Sequence, residues 1–281
     1  MNAASPKTFL ITGVSSGLGR AFAKGALDAG HRVIGTVRRE SDADAFAALD
    51  PDRAHPLVLD VTDYAAIPDA IARAERRAGA VDVLVNNAGY GHEGVVEESS
   101  IDDLQRQFAA NVFGPVAMMK AVLPGMRARR AGHIVNVTSM GGFITMPGIG
   151  FYCGSKFALE GISEALGKEV AGFGIRVTAL APGQFRTDWA GRSMDRTPRS
   201  IPDYDAVMDP LRAARQAKSG HQPGDPAKAA QALLALIDAE TPPTRLFLGA
   251  DALGLVDQKL EAMKAERNRW DQLSRSTSFA S

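Results

Sequence analysis

Tyr152-Cys153-Gly154-Ser155-Lys156 opens a stretch with helical spacing, so the tyrosine and the lysine, four residues apart, fall on one helical face. A free phenol titrates near pH 10, and an ammonium beside it favours phenolate and draws that value toward neutrality, giving a usable general acid or base. Ser139 ends an apolar run upstream. There its hydroxyl either bonds a carbonyl or alcohol oxygen held beside the phenol or serves as a turn serine. Asn111 interrupts a long helical pattern. Asparagine is a poor interior helix residue, so this one marks a kink or a water site, with an exposed helical asparagine as the plain alternative.

A second group lies near the start of the chain. Thr12-Gly13-Val14-Ser15-Ser16-Gly17-Leu18-Gly19-Arg20 follows a short apolar run and leads into a helical pattern. Glycines there let the backbone turn tightly and approach a pyrophosphate, which a helix N-terminus attracts through free N–H groups and its dipole. The spacing is G-x-x-x-G-x-G and not the commoner G-x-G-x-x-G. The next apolar run ends in Thr36-Val37-Arg38-Arg39, where proteins that bind NAD usually place an acid for the ribose 2′-hydroxyl. Val37 has no group for a hydroxyl, whereas two guanidiniums suit a 2′-phosphate, so NADP(H) is expected in preference to NAD(H). A solvated arginine pair is the alternative.

The elements that must position these groups alternate along the chain. Strands are expected at Thr8–Thr12, Arg32–Val37, His55–Leu59, Val81–Asn86, His133–Thr138, Arg176–Ala181 and Leu246–Leu248. Helices are expected at Gly17–Ala29, Tyr64–Ala78, Ile101–Arg130, Tyr152–Gly172 and Pro226–Ala239. Strands that are apolar throughout are buried on both faces, so the pattern predicts βαβ units in one α/β domain spanning residues 1–281, a Rossmann-type doubly wound parallel sheet. Residues 188–225 carry prolines and scattered large apolar side chains without a strand signal, and are expected to form an irregular substrate lid. Residues 253–281 form a charged helical tail with a fraying end.

Composition excludes several functions. Lys+Arg and Asp+Glu both number 32, so no global basic field favours nucleic acid or an anionic membrane. The single cysteine, Cys153, can form no internal disulfide and no cysteine metal cluster, and it reads as a small buried side chain. No run approaches a membrane span, and no secretory leader is evident, so a cytoplasmic location is expected.

In order and spacing, residues 7–187 resemble the short-chain dehydrogenases/reductases, in the branch with a T-G-x-x-x-G-x-G turn; Phe157-Ala158-Leu159-Glu160-Gly161 is similar to hydroxysteroid and retinol dehydrogenase-like members. The resemblance implies a catalytic tetrad of Asn111, Ser139, Tyr152 and Lys156. In that family the tyrosine exchanges the substrate oxygen's proton and the serine positions that oxygen. The lysine lowers the tyrosine pKa and binds the nicotinamide ribose, and the asparagine supports a proton-relaying water. It further implies cofactor contacts at Gly13, Ser15, Ser16, Gly17, Leu18 and Gly19, adenine contacts at Asp60 and Val61, and ribose contacts around Asn87, Ala88 and Gly89. Pro182, Gly183 and Thr187 match the nicotinamide loop, and pro-S hydride transfer is implied. The family also forms homodimers and homotetramers through the long helices here at Ile101–Arg130 and Tyr152–Gly172.

The substrate wall is expected from Met140, Gly141, Gly142, Phe143 and Ile144, from Tyr90, from Phe185 and from the 188–225 segment. His92 is read as a surface loop histidine, and Arg186 and Arg192 as solvent-facing charges. A largely apolar wall points to a small apolar ketone or alcohol as the partner. A 3-oxoacyl-thioester reductase and a non-catalytic NADP(H) sensor are the alternatives.

Overall fold

The computed structural model describes residues 5–279; the first four residues and the last two, which include the end of the expected fraying tail, lie outside the described residues. The first half runs β1 (Thr8–Ile11), α1 (Gly17–Asp28), β2 (Arg32–Val37), α2 (Glu40–Ala47), β3 (Ala54–Val58), α3 (Ile67–Ala78), β4 (Val83–Asn86) and β5 (Gly91–Glu93). Then come α4 (Ile101–Phe108), a π-helical turn (Ala109–Phe113), α5 (Gly114–Arg129), β6 (Gly132–Val137), α6 (Gly150–Val170) and β7 (Ile175–Pro182). The last part holds β8 (Met194–Arg196), α7 (Asp205–Lys218), α8 (Pro226–Asp238), β9 (Arg245–Leu248), α9 (Ala250–Arg269) and α10 (Asp271–Arg275).

Seven strands pair in parallel in the order β3-β2-β1-β4-β6-β7-β9. The strand order reverses between β1 and β4, and the crevice beyond the carboxyl ends of these strands is where such sheets bind ligands. β1 and β4 are buried along their whole length, as their uninterrupted apolar runs require. Phe9, Ile11, Phe22 and Phe46 fill one face of the sheet, and Leu10, Ile71, Met118 and Met126 fill the other. Full burial of one such side chain contributes about 1.5–3 kcal/mol. The stretch Ile101–Arg129 is long and apolar enough to cross a membrane by length and composition. Here its apolar residues Met118, Met119, Val122 and Met126 are buried in the core beneath the sheet.

Three elements depart from expectation. α2 has no counterpart among the expected helices: half of its eight residues are polar and only Ala43 and Phe46 are buried, too little for a visible stripe. Residues 188–225 are not irregular throughout. They contain β8, paired in parallel with β5 as a separate two-stranded sheet (Gly91↔Met194, His92↔Asp195, Glu93↔Arg196), and the 14-residue helix α7. The single helix expected at Ile101–Arg130 is divided by the π-helical turn, which carries Asn111.

Candidate active site

The turn after β1 is built around Thr12. Its hydroxyl accepts the N–H groups of Asn87 and Ala88, both at 2.9 Å, tying the first turn to the end of β4. Asn87 returns its amide to the carbonyls of Thr12 and Gly13 at 2.9 and 3.3 Å. Gly13 sits at φ +73°, a left-handed conformation that side chains rarely adopt. A Cβ on Gly19 would lie 2.2 Å from the Gly13 carbonyl oxygen and 2.4 Å from the Asn87 amide nitrogen. At the N-cap of α1, Ser16 makes no side-chain cap, so the N–H groups of the first helical turn remain available to an anionic ligand.

From this turn a groove of about 1060 Å³ crosses the carboxyl edge of the sheet. Gly13, Ser15, Ser16, Gly17 and Leu18 line it, with Arg38, Arg39, Asp60 and Val61 at one end and Tyr152 and Lys156 at the other. Asn87, Ala88, Gly89, Pro182 and Thr187 complete its sides. A closely approached glycine turn at a helix N-terminus, inside a groove of this length, fits a dinucleotide. Gly183 does not face the groove. A Cβ there would meet the Asp251 carboxylate at 2.5 Å, and Gln184 donates its N–H to the same carboxylate at 2.8 Å. Gly183 thus makes room for the start of α9.

The two arginines behave differently. Arg39, still on the groove, makes a two-pronged pair with Asp42, at 2.8 and 3.0 Å, which holds the Asp42 carboxyl below its ordinary range. Arg38 is exposed on the groove rim. Both guanidiniums of the expected phosphate clamp thus line the groove, with Arg39 also tied to the first turn of α2. Asp60 accepts the N–H and hydroxyl of Thr62, both at 2.8 Å.

At the far end, α6 places Tyr152 and Lys156 one turn apart and buries both, to 7% and 6% exposure. Burial pushes the phenol well above its usual value, while a hydrogen bond with the Ser139 side chain pulls it down. Burial also lowers Lys156 to about 8, with the Glu160 carboxylate acting in the opposite sense. The ammonium donates to the Val137 carbonyl at 2.8 Å and lies 5.9 Å from the centre of the phenol ring. Desolvation thus sets the direction, against the lowering by the lysine that the spacing suggests, and the phenol stays protonated at neutral pH. Behind them Glu160 accepts the Thr138 hydroxyl and the Arg245 guanidinium, each at 2.6 Å.

Asn111 is fully buried. Its amide donates to the Tyr90 carbonyl at 3.0 Å and the Ser155 hydroxyl at 3.1 Å, and its carbonyl accepts the Tyr90 N–H at 3.2 Å. A Cβ on Gly89 would lie 2.7 Å from the Asn111 carbonyl and 3.9 Å from Lys156 Nζ, so these three groups converge on one point. A Cβ on Gly141 would lie 3.3 Å from both the Ser139 hydroxyl and the Tyr152 ring. The kink read from the asparagine is real, and its widened turn points the side chain into the fold instead of into water.

The wall beside the tyrosine differs from the one expected. Met140 and Ile144 pack with Phe143 against Ala252, and Phe185 packs into the core beneath α8. Tyr90 does line the groove, joined by Arg106, Trp189 and Arg192–Asp195. Trp189 lies against Tyr152, with ring centres 5.0 Å apart. Arg192 pairs with Asp188 at 3.2 Å while lining the groove, whereas Arg186 is exposed and bonds the Gln222 carbonyl. His92 is not a surface residue. It is 1% exposed, stacked on Phe151 and bonded to the Thr197 hydroxyl at 2.9 Å, and burial lowers its pKa. Beside it Glu93, fully buried, meets Arg212 at 2.5 Å and Arg215 at 3.2 Å. Sequence reasoning missed this anchor, because nothing around Glu93 marks it as different from a loop carboxylate.

Residues 7–197 match the short chain dehydrogenase family. The crystal structure of a short-chain dehydrogenase from Streptomyces avermitilis superimposes with a TM-score of 0.91 and 43% identity, over 98% of this chain and 99% of that one. An oxidoreductase of Botryotinia fuckeliana is 39% identical over 95% of this chain and 98% of its own length. A 3-ketodihydrosphingosine reductase of Bacteroides thetaiotaomicron is 37% identical, over 87% and 88% respectively.

Proposed function

Because the chain belongs to the short-chain dehydrogenase family and is an oxidoreductase of that family, we propose that it reduces the carbonyl of a small, largely apolar ketone with NADPH. The observation that carries this reading is the convergence of Tyr152, Ser139, Lys156 and Asn111 at one end of a dinucleotide-sized groove. The cofactor would supply hydride from its nicotinamide, lying on the glycine turn with its adenosine toward Asp60 and Val61. Arg38 favours NADPH: the end of β2 offers Val37 where an acid would hold a ribose hydroxyl, and the nearby Asp42 is already committed to Arg39.

The chain's own groups supply the rest. A phenol kept protonated by burial is in the form that gives a proton to a developing alkoxide, and Ser139 is placed to hold the same oxygen. Lys156, an ammonium below pH 8, stabilises the phenolate left behind. Asn111 spends its amide on Tyr90 and Ser155, so its role is to fix the turn behind Lys156. Trp189 and Met194 are the apolar part of a wall that also carries Arg106, Arg192 and Asp195, and the Bacteroides relative is by its name a reductase of a keto compound, 3-ketodihydrosphingosine. The site lies in the cytoplasm on this reading, and residues 188–225 form its substrate wall.

The test is NADPH consumption with a panel of apolar ketones and 3-oxoacyl thioesters, for the wild type and Tyr152→Phe. Ketone-dependent consumption that falls at least a hundredfold in the variant, with NADPH binding retained, supports the reading. Full activity in Tyr152→Phe rejects the tyrosine as the acid, and binding without turnover across the panel rejects the enzyme reading in favour of a nucleotide sensor.

A further inference from the structure

Helix α9 starts on the body of the protein and then leaves it. Ala252 and Val256 are buried, yet every residue from 260 to 270 is exposed. Its 20 residues span roughly 30 Å, about half of it open to solvent on every side. An isolated helix of this length is marginal in water unless an apolar face is covered.

The sequence of this helix has such a face. Leu253, Val256, Leu260, Met263, Arg267 and the C-cap Trp270 recur at alternating steps of three and four, the seven-residue repeat of helices that pack side by side; Val256 already packs on the body and Arg267 is charged, so the open apolar part is Leu253, Leu260, Met263 and Trp270. Leu253, Leu260, Met263 and Trp270 are 51%, 48%, 49% and 54% exposed, unusually wet for residues of their size. The positions flanking the stripe are Asp257 and Lys264 on one side and Lys259 and Glu266 on the other.

These charges choose the partner. In a parallel pair of identical helices Lys259 would face the second copy's Lys264, and Glu266 its Asp271, both repulsive. In an antiparallel pair that sets Leu260 against the second copy's Met263, Asp257 meets Lys264 and Lys259 meets Glu266, each twice by symmetry. Sliding this pair by one repeat in either direction brings Lys259 onto Lys259 or Lys264 onto Lys264. One register therefore satisfies the Leu260–Met263 and Leu253–Trp270 layers and both flanking charge pairs, with Val256, already held on the body, opposite the second copy's Arg267.

We propose that α9 packs antiparallel against α9 of a second copy of this chain, with Leu260–Met263 layers at its centre and Trp270 covering Leu253 at each end. This contact is separate from the catalytic groove and from the long helices Ile101–Phe108, Gly114–Arg129 and Gly150–Val170.

The experiment follows acrylamide quenching of Trp270 in the full chain as protein concentration rises, with Trp270→Phe subtracted to remove the Trp189 signal, alongside sedimentation. The expected result is protection of Trp270 that grows with concentration in the micromolar range. Lys264→Asp should weaken it at least tenfold, because the introduced carboxylate would face the second copy's Asp257, and adding Asp257→Lys should restore it. A parallel pair would instead be strengthened by Lys264→Asp, because Lys259 would gain an opposite charge. That result overturns the proposal, as does a Trp270 equally quenched at all concentrations. Protection that appears only on adding anionic phospholipid vesicles also overturns it, assigning the stripe to a membrane surface.

Discussion

Replacing Lys156 by methionine separates what the catalytic end costs in stability from what it does in chemistry. The buried ammonium titrates at about 8 in the folded protein, against 10.5 for the free side chain. Because the folded value is the lower one, the unfolded chain binds more protons between these values, and stability rises with pH through that window. The penalty is present in full below pH 8 and fades as pH approaches 10.5. At 1.36 kcal/mol per unit, the gap corresponds to about 3 kcal/mol, of which about 2–3 kcal/mol is recovered between pH 7 and 10. Lys156→Met has no ionisation in this range. Its lost bond to Val137 and altered packing add a constant offset, which drops out when the two proteins are compared across pH. Urea unfolding of both proteins without added cofactor at pH 7, 8, 9 and 10 should therefore show the wild type gaining about 2–3 kcal/mol on the variant. A stability difference that stays constant with pH would refute the reasoning, since the ammonium would then be as well solvated in the fold as outside it.

Two further outcomes follow from the groove and its wall. Arg38→Asp should lower affinity for NADPH at least tenfold and raise the preference for NADH, whereas Arg39→Ala should leave cofactor choice nearly unchanged and only loosen α2; nicotinamide fluorescence titration reads both. Glu93→Gln leaves the guanidiniums of Arg212 and Arg215 without their buried counter-charge, a change expected to cost about 1–3 kcal/mol, since both keep some access to water and the carbonyls of Thr197 and Pro147. Hydrogen exchange should report it as faster opening of β8 and α7, with β1 and β4 still protected.

The parts legible in the sequence were those written in local spacing. Tyr152 and Lys156 are one helical turn apart whatever surrounds them, and the glycine turn is fixed by its neighbours in sequence and by the apolar run before it. Asn111 betrayed a break in its helix because asparagine is costly there. What escaped was set by distant partners. β5 and β8 are three residues each and pair across about a hundred positions of chain, so neither has room for an alternation pattern. His92 looked like a loop residue until Phe151 and Thr197 enclosed it. Arg39 was indistinguishable from Arg38 until the start of α2 brought Asp42 within reach. The direction of the tyrosine shift also escaped, because charge spacing is visible in a sequence and desolvation is not.

The π-helical turn makes the segment from Ile101 to Gly114 a fixed-length spacer. Within it Asn111 reaches Tyr90 and Ser155, beside Lys156. Just after it, Gly114 lies so close to Val61, at the Arg38 end of the groove, that an added Cβ would sit 2.9 Å from the Val61 carbonyl. Deleting one residue from the turn would let it relax into an ordinary α-helix with its two flanking helices nearly in phase, removing the widened turn that carries Asn111. The number of residues in this segment is thus constrained as well as their identity, and a deletion that a surface loop would absorb freely would here withdraw Asn111 from Tyr90 and Ser155.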